Sequence, residues 1–382
     1  MLNHLPRGRH VQQATLTRCR KHLSKMLPKM AHCNRPAHNE RTRSPASCSR
    51  ATLAAMNEQH PFETLFPERI LDAVESRGYC CDRRILALNS YENRVYQVGI
   101  EDGEPLIAKF YRPERWSREQ ILEEHSFALE LAEHDVSVIA PLPGEDGATL
   151  FDHQGFSVAL FPRRGGHPPE LDNEAHLRVL GRHLAMLHNV GGIRAFEHRP
   201  TLDVRSYGHD SVAWVTEHFV PPDLREAWTT LTRDLLAALD SIFDNLEDVS
   251  WIRTHGDCHP GNLLWRDPVP WFIDLDDARM APAVQDLFML LSGDRLERTR
   301  QINTILDGYS GFRAFNTQEL RLPEALRTLR MLYFSAWIGR RWHDPAFPRA
   351  FPWFDSPRYW GDMILDLRTQ MAELNEPALE IY

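Results

Sequence analysis

The sequence lacks the marks of a membrane-inserted or secreted protein. None of its apolar runs approaches the roughly 18 residues that a membrane-spanning helix requires. Its first thirty residues contain no apolar segment of the kind that secretory signal peptides carry. These two absences predict a cytoplasmic protein that is not inserted into a membrane.

Cysteine is scarce, and its spacing suits neither zinc nor a disulfide framework. The chain has 6 Cys among 382 residues, and none of them forms a zinc-type pair. Cys80 and Cys81 are adjacent, which is a poor arrangement for disulfide bonds. We therefore expect reduced thiols, as in a cytosol.

Acidic residues outnumber basic residues outside the N-terminal segment. Residues 1–55 hold 11 Lys and Arg side chains and a single acid, Glu40, whereas the whole chain carries a net charge of −9. The remaining chain is therefore strongly acidic. Nucleic-acid binding needs basic surface, so the acidic body argues against a general affinity for nucleic acid.

Residues 1–55 show no sustained periodicity. A basic disordered tail that binds an anionic partner and an acid-poor transit peptide are both open interpretations. We favour a third, a disordered basic extension produced by a mis-assigned translation start, with Met56 as the true first residue. The composition changes abruptly there, and the patterning of a folded domain begins at once.

The chain from residue 56 onward divides into a β-rich part and a mainly helical part. The runs RILAL, NRVYQVGI, PLIAKFY and FSVALF are typical of strands, and an Asp-Gly turn joins the second run to the third. SREQILEEHSFALELAEHD predicts a helix with Ser117 and Gln120 as a capping box. The pattern is mostly helical from Leu171 onward. We predict an α+β fold of two lobes, a small β-rich N-lobe over 56–162 and a larger, mainly helical C-lobe over 163–382.

A polar motif interrupts the helical part. HGDCHPGN, at 255–262, places Asp257 five residues before Asn262, in a segment whose glycines and proline prevent regular helix. FIDLDDA then places Asp274 at the end of a short apolar strand. Two carboxylates and a carboxamide that converge form an oxygen-rich site suited to Mg²⁺. The alternative is a loop capped by its own Asp and Asn side chains, the commoner use of such residues.

The spacing of the motif matches the arrangement in protein kinases. There, a catalytic-loop Asp accepts the hydroxyl proton, and an Asn and a following Asp hold magnesium. Asp257 is then the predicted base, and Asn262 and Asp274 are the predicted Mg²⁺ ligands. We interpret the motif as a phosphoryl-transfer site.

The β-rich part contains the matching lysine and glutamate. Lys109, alone in the apolar run LIAKF, resembles the strand lysine that contacts the nucleotide phosphates. On the predicted helix, Glu124 lies three residues after Ile121 and four before Ala128, at the edge of the apolar stripe, whereas Glu123 points to another side. Glu124 is therefore the expected partner of Lys109. The predicted inward stripe consists of Ile121, Leu122, His125, Ala128, Leu129 and Ala132.

Evidence for a phosphate-binding loop is weaker than the evidence for Lys109 and Glu124. There is no G-x-G-x-x-G motif, and the run LNSYENRVY stands between the first two strands instead. Ser90 and Asn93 could donate to phosphate oxygens, but a polar hairpin turn explains them equally well. No Walker A motif is present, which excludes the P-loop class.

Other polar residues near the motif are given supporting roles. The histidines beside Asp257 have no third ligand at metal spacing, so zinc is not predicted. Asp276 and Asp277 are expected to add charge near the metal. Asp286 is expected to cap or anchor the helix beneath the site, and Cys258 to fill space in the interior.

Taken together, these motifs make the chain similar to the aminoglycoside phosphotransferase and choline kinase superfamily, whose fold is protein-kinase-like and bilobal. HGDCHPGN, FIDLDDA and MAPAVQDL carry the resemblance, with Ala281 in place of the usual Gly. LNSYENRVYQV, KFYRPERW, QILEEHSFAL and RRWHDPAFP resemble more specifically the bacterial stress response kinases of the YihE type. Residues 1–55 have no counterpart in that pattern.

The resemblance implies a monomeric, cytoplasmic serine/threonine protein kinase that uses ATP with Mg²⁺ and phosphorylates itself. It also implies a role in envelope and oxidative stress, an N-lobe that binds nucleotide, with Ser90 at the ATP site, and a C-lobe that holds the catalytic residues and the acceptor. Two alternatives stay open. The acidic body would suit a small cationic acceptor, as in kinases of the aminoglycoside, choline or homoserine type, and a pseudokinase would bind nucleotide without catalysis.

Overall fold

The computed structural model of the protein describes residues 61–266 and 269–382. The predictions of a disordered extension at 1–55 and of a start at Met56 lie outside the described residues. Helix α1 (Pro67–Glu75) is the first described helix, and Pro67 stands in its first turn, where a missing N–H costs no helical hydrogen bond. Gly78, with φ +87°, follows the helix and turns the chain toward the sheet.

The small lobe is built on an antiparallel sheet. Its strands are β1 (Cys81–Ala87), β2 (Arg94–Ile100), β3 (Leu106–Phe110), β4 (Phe151–His153) and β5 (Phe156–Pro162), in the order β1-β2-β3-β5-β4. The four strand runs predicted from the sequence are confirmed. Lys109 pairs with Val95 on one side and Ala159 on the other, so it lies on the central strand.

Helix α2 (Arg118–Glu133) has the predicted capping box, with Ser117 and Gln120 bonded reciprocally. Its predicted inward stripe is partly wrong, because Leu122 and Ala132 are exposed. The helix contacts two cores. Ile121 packs with Tyr111 beneath the sheet, whereas other apolar side chains of the helix enter the core of the large lobe. The buried positions of the helix are Ile121, Glu124, His125, Phe127, Ala128 and Leu131.

The large lobe is mainly helical. Its helices are α3 (Glu174–Gly191), α4 (Asp210–His218), α5 (Arg225–Asp244), α6 (Val284–Leu287), α7 (Arg295–Tyr309), α8 (Pro323–Arg340), α9 (Ala346–Ala350) and α10 (Pro357–Leu374). Helices α3 and α7 pack closely, since a Cβ on Gly181 would lie 2.0 Å from the carbonyl oxygen of Ile305. None of the helices in the described ranges is both long and apolar enough to cross a bilayer.

Two short two-stranded sheets in the large lobe carry the polar motif. Strand β6 (Ile252–Thr254) pairs with β9 (Arg279–Ala281), and β7 (Leu263–Arg266) pairs with β8 (Val269–Phe272). The motif loop, residues 255–262, joins β6 to β7, and residues 273–278 join β8 to β9. Because the four strands pair in this way, the two connecting segments lie side by side. The fold is α+β with a small β-rich lobe and a larger helical lobe, as predicted.

Candidate active site

The motif loop is held from below by one buried carboxylate. Asp286, on α6, accepts hydrogen bonds from the backbone N–H groups of His255 at 2.8 Å and Gly256 at 2.9 Å. Gly256 has φ +81°, and a Cβ there would lie 2.1 Å from the carbonyl oxygen of Asp277, so only glycine fits. His188 Nε2 lies 3.1 Å from the same carboxylate. Asp286 therefore anchors the loop, which corrects the expectation that it caps or anchors its own helix.

Asp257 and Asn262 contact each other across the loop. The amide nitrogen of Asn262 donates to the carbonyl oxygen of Asp257 at 3.0 Å and to its Oδ2 at 3.3 Å. Helix α8 adds a cation that the sequence did not indicate, because Arg330 Nη1 lies 2.6 Å from Oδ1 of Asp257. The Asp257 side chain is thus fixed at both oxygens.

The charge state of Asp257 follows from these neighbours. Burial alone would raise the pKa of its carboxyl group, but Arg330, His259 and His255 together lower that pKa well below its usual range. Burial lowers the pKa of His259, so the neighbouring imidazole is neutral at pH 7 and Arg330 is the main cation. Asp257 is therefore an ionised carboxylate, able to accept a hydrogen bond or a proton.

Lys109 lies among three carboxylates. Its Nζ is 3.3 Å from Glu124 Oε1, 3.2 Å from Asp274 Oδ1 and 3.1 Å from Asp276 Oδ1. Burial alone would lower the pKa of Lys109, but these carboxylates raise it well above its usual value. The structure thus joins a strand of the small lobe, a helix glutamate and the segment after β8 at one ammonium group.

Glu123 and Glu124 are neighbours with different partners. Glu124 is buried and contacts Lys109, and its second oxygen lies 3.7 Å from Arg199 Nη1. Glu123 instead accepts the backbone N–H groups of residues 197–199 at 2.6, 2.9 and 2.8 Å. Arg199 lies in a loop without a recognisable sequence pattern, which is why the sequence did not indicate it.

Asp274 stands two residues beyond the end of β8, in the left-handed conformation with φ 60° and ψ 64°. Its side chain is 51% exposed, although Lys109 contacts one of its oxygens. The chain there is tied to the motif loop, since the N–H of Ile273 donates to the carbonyl oxygen of Asn262 at 3.1 Å. Asp274 and Asn262 therefore lie on neighbouring, directly bonded segments.

Asp274 and Asn262 have oxygens that suit a hard cation. Within residues 61–266 and 269–382, no hydrogen bond is found to Oδ2 of Asp274 or to Oδ1 of Asn262. The same residues contain no group of three or more His, Cys, Asp or Glu side chains that could hold a metal alone. Mg²⁺ commonly takes one or two protein oxygens and completes its shell with phosphates and water. The two residues fit that mode of binding.

Asp276 and Asp277 both form ion pairs with arginines. Asp276 is buried and contacts both Lys109 and Arg115, while Asp277 accepts from Arg115 at 3.0 Å and Arg279 at 2.9 Å. The expectation that these two acids add charge near a metal is therefore corrected, because both carboxylates are neutralised by cations.

The remaining predicted residues lie nearby. Ser90 is half-buried in the loop between β1 and β2. Asn93 is buried, and its side-chain oxygen accepts the N–H of Arg112 at 3.0 Å, so it ties that loop to the residues after β3. Cys258 is fully buried, and burial raises the pKa of its thiol well above the usual value, as expected of an unreactive interior residue.

Comparison with known proteins identifies the family. The model of the "Phosphotransferase enzyme family" matches residues 84–323, which include the lysine strand, the motif loop and Asp274. This chain belongs to the phosphotransferase enzyme family. It is an enzyme of the kinase type, and the resemblance drawn from its motifs is confirmed.

Relatives and solved structures agree with this assignment. Stress response kinase A of Escherichia coli (strain K12) is 44% identical over 326 residues, covering 85% of this chain and 98% of that protein. Serine/threonine protein kinase RdoA of Salmonella typhimurium is 44% identical over 321 residues, covering 84% and 97%. The amicoumacin kinase hAmiN, solved with AMP-PNP, Ca²⁺ and Ami, superimposes with a TM-score of 0.63 at 17% identity, covering 86% and 97%. That likeness shows the kinase-like bilobal fold.

Proposed function

We propose that this phosphotransferase is an ATP-dependent serine/threonine protein kinase that also phosphorylates itself. The observation that supports this most is the meeting of Lys109, Glu124, Asp257, Asn262 and Asp274 at one site, in a chain 44% identical to proteins named as stress response and serine/threonine kinases. By the same relationship, we propose a cytoplasmic role in the response to envelope and oxidative stress.

Each residue has a role that follows from its surroundings. Asp257, ionised and held by Asn262, orients the acceptor hydroxyl and accepts its proton. Lys109 neutralises negative charge on the nucleotide phosphates, and Glu124 holds its ammonium group in place. Ser90, in the loop between β1 and β2, is the proposed hydroxyl donor to the nucleotide.

We propose that Asn262 and Asp274 hold Mg²⁺, through oxygens that accept no hydrogen bond from the described residues. When bound, the ion would neutralise charge on the phosphates during transfer. Lys109 contacts the other oxygen of Asp274 at 3.2 Å, so the lysine also orients this carboxylate. Asp274→Asn should abolish transfer and remove the Mg²⁺ dependence of nucleotide binding, measured by calorimetry with and without EDTA. Unchanged Mg²⁺ dependence would contradict the assignment.

The surroundings of Asp257 favour a neutral hydroxyl acceptor. Arg330 places a positive charge 2.6 Å from the proposed base. Because Arg330 neutralises the charge of Asp257, a cationic acceptor such as an aminoglycoside or choline gains less attraction here than at an unpaired carboxylate, whereas a Ser or Thr hydroxyl does not depend on that attraction. The small-molecule kinase is therefore the second candidate, supported by the acidic net charge of −9.

A labelling experiment separates these possibilities. The protein is incubated with labelled ATP and Mg²⁺, alone, with casein-like proteins, and with aminoglycosides, choline and homoserine. We expect label on Ser and Thr of protein, reduced roughly 10²–10⁴-fold in Asp257→Asn, which removes the base. Asp152→Asn is the control, because it alters an exposed ion pair with Arg118. Rapid labelling of one small alcohol without labelled protein would favour the second candidate, and ATP binding without transfer would favour a pseudokinase.

A further inference from the structure

Three sequence strings that resemble the stress response kinases meet in the structure. They supply few of the proposed site residues. LNSYENRVYQV forms the loop between β1 and β2, KFYRPERW follows β3, and RRWHDPAFP follows α8. Their charged side chains converge between the loop of the small lobe and the large lobe. We call this set, together with Trp337 of α8, the anchor network. Its charged members are Glu92, Arg94, Arg112, Arg341 and Asp344.

Glu92 is the centre of the anchor network. It belongs to the β1–β2 loop, residues 88–93, yet it is only 8% exposed. Its Oε1 lies 3.0 Å from Arg112 Nε, and its Oε2 accepts from Trp337 Nε1 at 2.5 Å and lies 2.6 Å from Arg341 Nε. Trp337 lies in the last turn of α8, and Arg341 follows directly after the helix. One carboxylate therefore fastens the loop of the small lobe to a helix of the large lobe.

A second buried acid, Asp344, holds the loop indirectly. It lies 3.1 Å from Arg94 Nη2 and 2.5 Å from Arg112 Nη2. These two arginines donate in turn to the backbone carbonyl oxygens of residues 91–93, at 2.9 to 3.4 Å. The path of the loop backbone is thus set by guanidinium groups that the large lobe orients.

Packing adds to these polar contacts. Tyr91 lies against the aromatic core of the large lobe, with its ring centroid 5.2 Å from that of Phe351. The loop sequence, LNSYEN, contains no glycine. Where most protein kinases place a flexible glycine-rich loop over the ATP phosphates, this chain has a loop fixed by side chains.

The energetics favour a positioning role over simple stabilisation. Removing several charges from water is costly, and a well-packed apolar cluster of equal volume would often be at least as stable. Buried ionic groups do impose a specific geometry, because each donor must meet its acceptor. A network that joins two lobes at the loop holding Ser90 therefore controls where that loop lies.

We propose that the anchor network positions the β1–β2 loop over the phosphates of the bound nucleotide, with Glu92 and Asp344 as positioning residues. This inference rests on the proposed function, since it takes the loop as the one that faces ATP. The network then fixes a loop whose counterpart in most protein kinases is flexible and glycine-rich, and it couples loop position to the end of α8.

Two conservative variants of the full chain test the proposal. Glu92→Gln keeps the size of the side chain and removes its charge, while Arg341→Gln removes one donor from the large lobe. We expect kcat/KM for ATP to fall roughly tenfold to a hundredfold in each, with a weaker Kd for ATP by calorimetry. The KM for the protein acceptor should stay unchanged, which a merely structural role would not predict.

Glu324→Gln is the matched control. Glu324 also contacts arginines in a partly buried cluster, Arg298 at 2.5 Å and Arg327 at 3.1 Å. It lies at the opposite end of α8, about 20 Å from Trp337 along the helix. This variant should lower Tm without changing the Kd or KM for ATP.

The results separate the two proposals. Wild-type ATP affinity in folded Glu92→Gln and Arg341→Gln proteins would overturn the positioning role, and so would an equal loss in Glu324→Gln. If Glu92→Gln does not fold, Arg341→Gln decides, because that side chain is more exposed, at 16%. If the wild type binds ATP but labels no protein, the proposed function fails while the affinity comparison still decides the role of the network.

Discussion

Replacing Asp286 by Asn removes the carboxylate beneath the motif loop, which serves three donors. Asp286 accepts the N–H groups of His255 and Gly256, at 2.8 and 2.9 Å, and lies 3.1 Å from His188 Nε2. It is fully buried, so water cannot replace a lost bond. Asn has one acceptor oxygen, and its NH₂ group would face a donor. At least one buried N–H would therefore have no partner.

The expected effect on turnover is larger than the effect on stability. A buried donor without a partner costs roughly 1–3 kcal/mol, so the free energy of unfolding should fall by that amount. Gly256 lies tightly against the carbonyl oxygen of Asp277, so the loop has little room to relax in place. A displacement of Asp257 by about 1 Å would lower kcat roughly a hundredfold.

Steady-state kinetics and urea denaturation at the same temperature separate these effects. Glu319→Gln is the control, because Glu319 accepts the N–H of Val284 at 2.8 Å, at the start of the helix that carries Asp286, yet is not in the motif loop. The control should keep its kcat at pH 6. Wild-type kcat in a folded Asp286→Asn protein would refute the reasoning, as would an equal loss of kcat in the control.

Three further changes have expected outcomes. Glu124→Gln should weaken ATP binding roughly tenfold, since it removes a charged partner of Lys109, whereas Glu123→Gln should leave ATP affinity unchanged. Calorimetry checks both, and equal effects would contradict the different roles of the two acids. Arg330→Gln should raise kcat/KM for basic peptides relative to acidic ones, roughly fivefold, because it removes a cation beside the acceptor. An unchanged ratio would contradict an acceptor-side role. Burial raises the pKa of Glu319 from 4.5 to about 7, so its protonated form favours the folded state and that stabilisation is lost as pH rises toward 7. Glu319→Gln lacks this loss. Between pH 5 and 8 its free energy of unfolding, measured by urea denaturation, should therefore rise by about 3 kcal/mol relative to that of the wild type. A difference in free energy of unfolding between variant and wild type that does not change with pH would contradict this expectation.

Local chemistry explains what could be predicted from the sequence. The strands, the capping box at Ser117 and the Asp-Gly turn depend on neighbouring residues, and the structure contains all of them. Asp257 and Asn262 are five residues apart in a loop that cannot form a regular α-helix, so their proximity needed no tertiary information. The residues that were missed come from other segments. Arg330 reaches Asp257 from α8, and such a pairing depends on helix packing that periodicity does not encode.

Helix α2 shows how a partly wrong pattern still led to Glu124. The predicted stripe assumed one buried face, but the helix packs against both the sheet and the core of the large lobe. Ile121 and Ala128 belong to the true buried set, and Glu124 was chosen by its helical spacing from these two. With Leu122 exposed, the buried surface is rotated and Glu124 moves from its edge to its interior. The error in the predicted stripe therefore did not affect the choice of Glu124 over Glu123.

Net charge and local charge lead to opposite expectations for the acceptor, and distance decides between them. The acidic body, with a net charge of −9 for the chain, attracts cations in general. Exposed charges more than about 8 Å apart are largely screened at physiological ionic strength, so this attraction mainly changes the rate at which an acceptor meets the protein. Arg330, in contrast, lies only 2.6 Å from Asp257. Two unit charges about 4 Å apart interact by roughly 4 kcal/mol at an effective dielectric constant near 20, so a charge this close is not screened away. Arg330 therefore reduces the negative charge that Asp257 presents to an acceptor, which supports the proposal of an uncharged Ser or Thr hydroxyl over an ammonium-bearing alcohol.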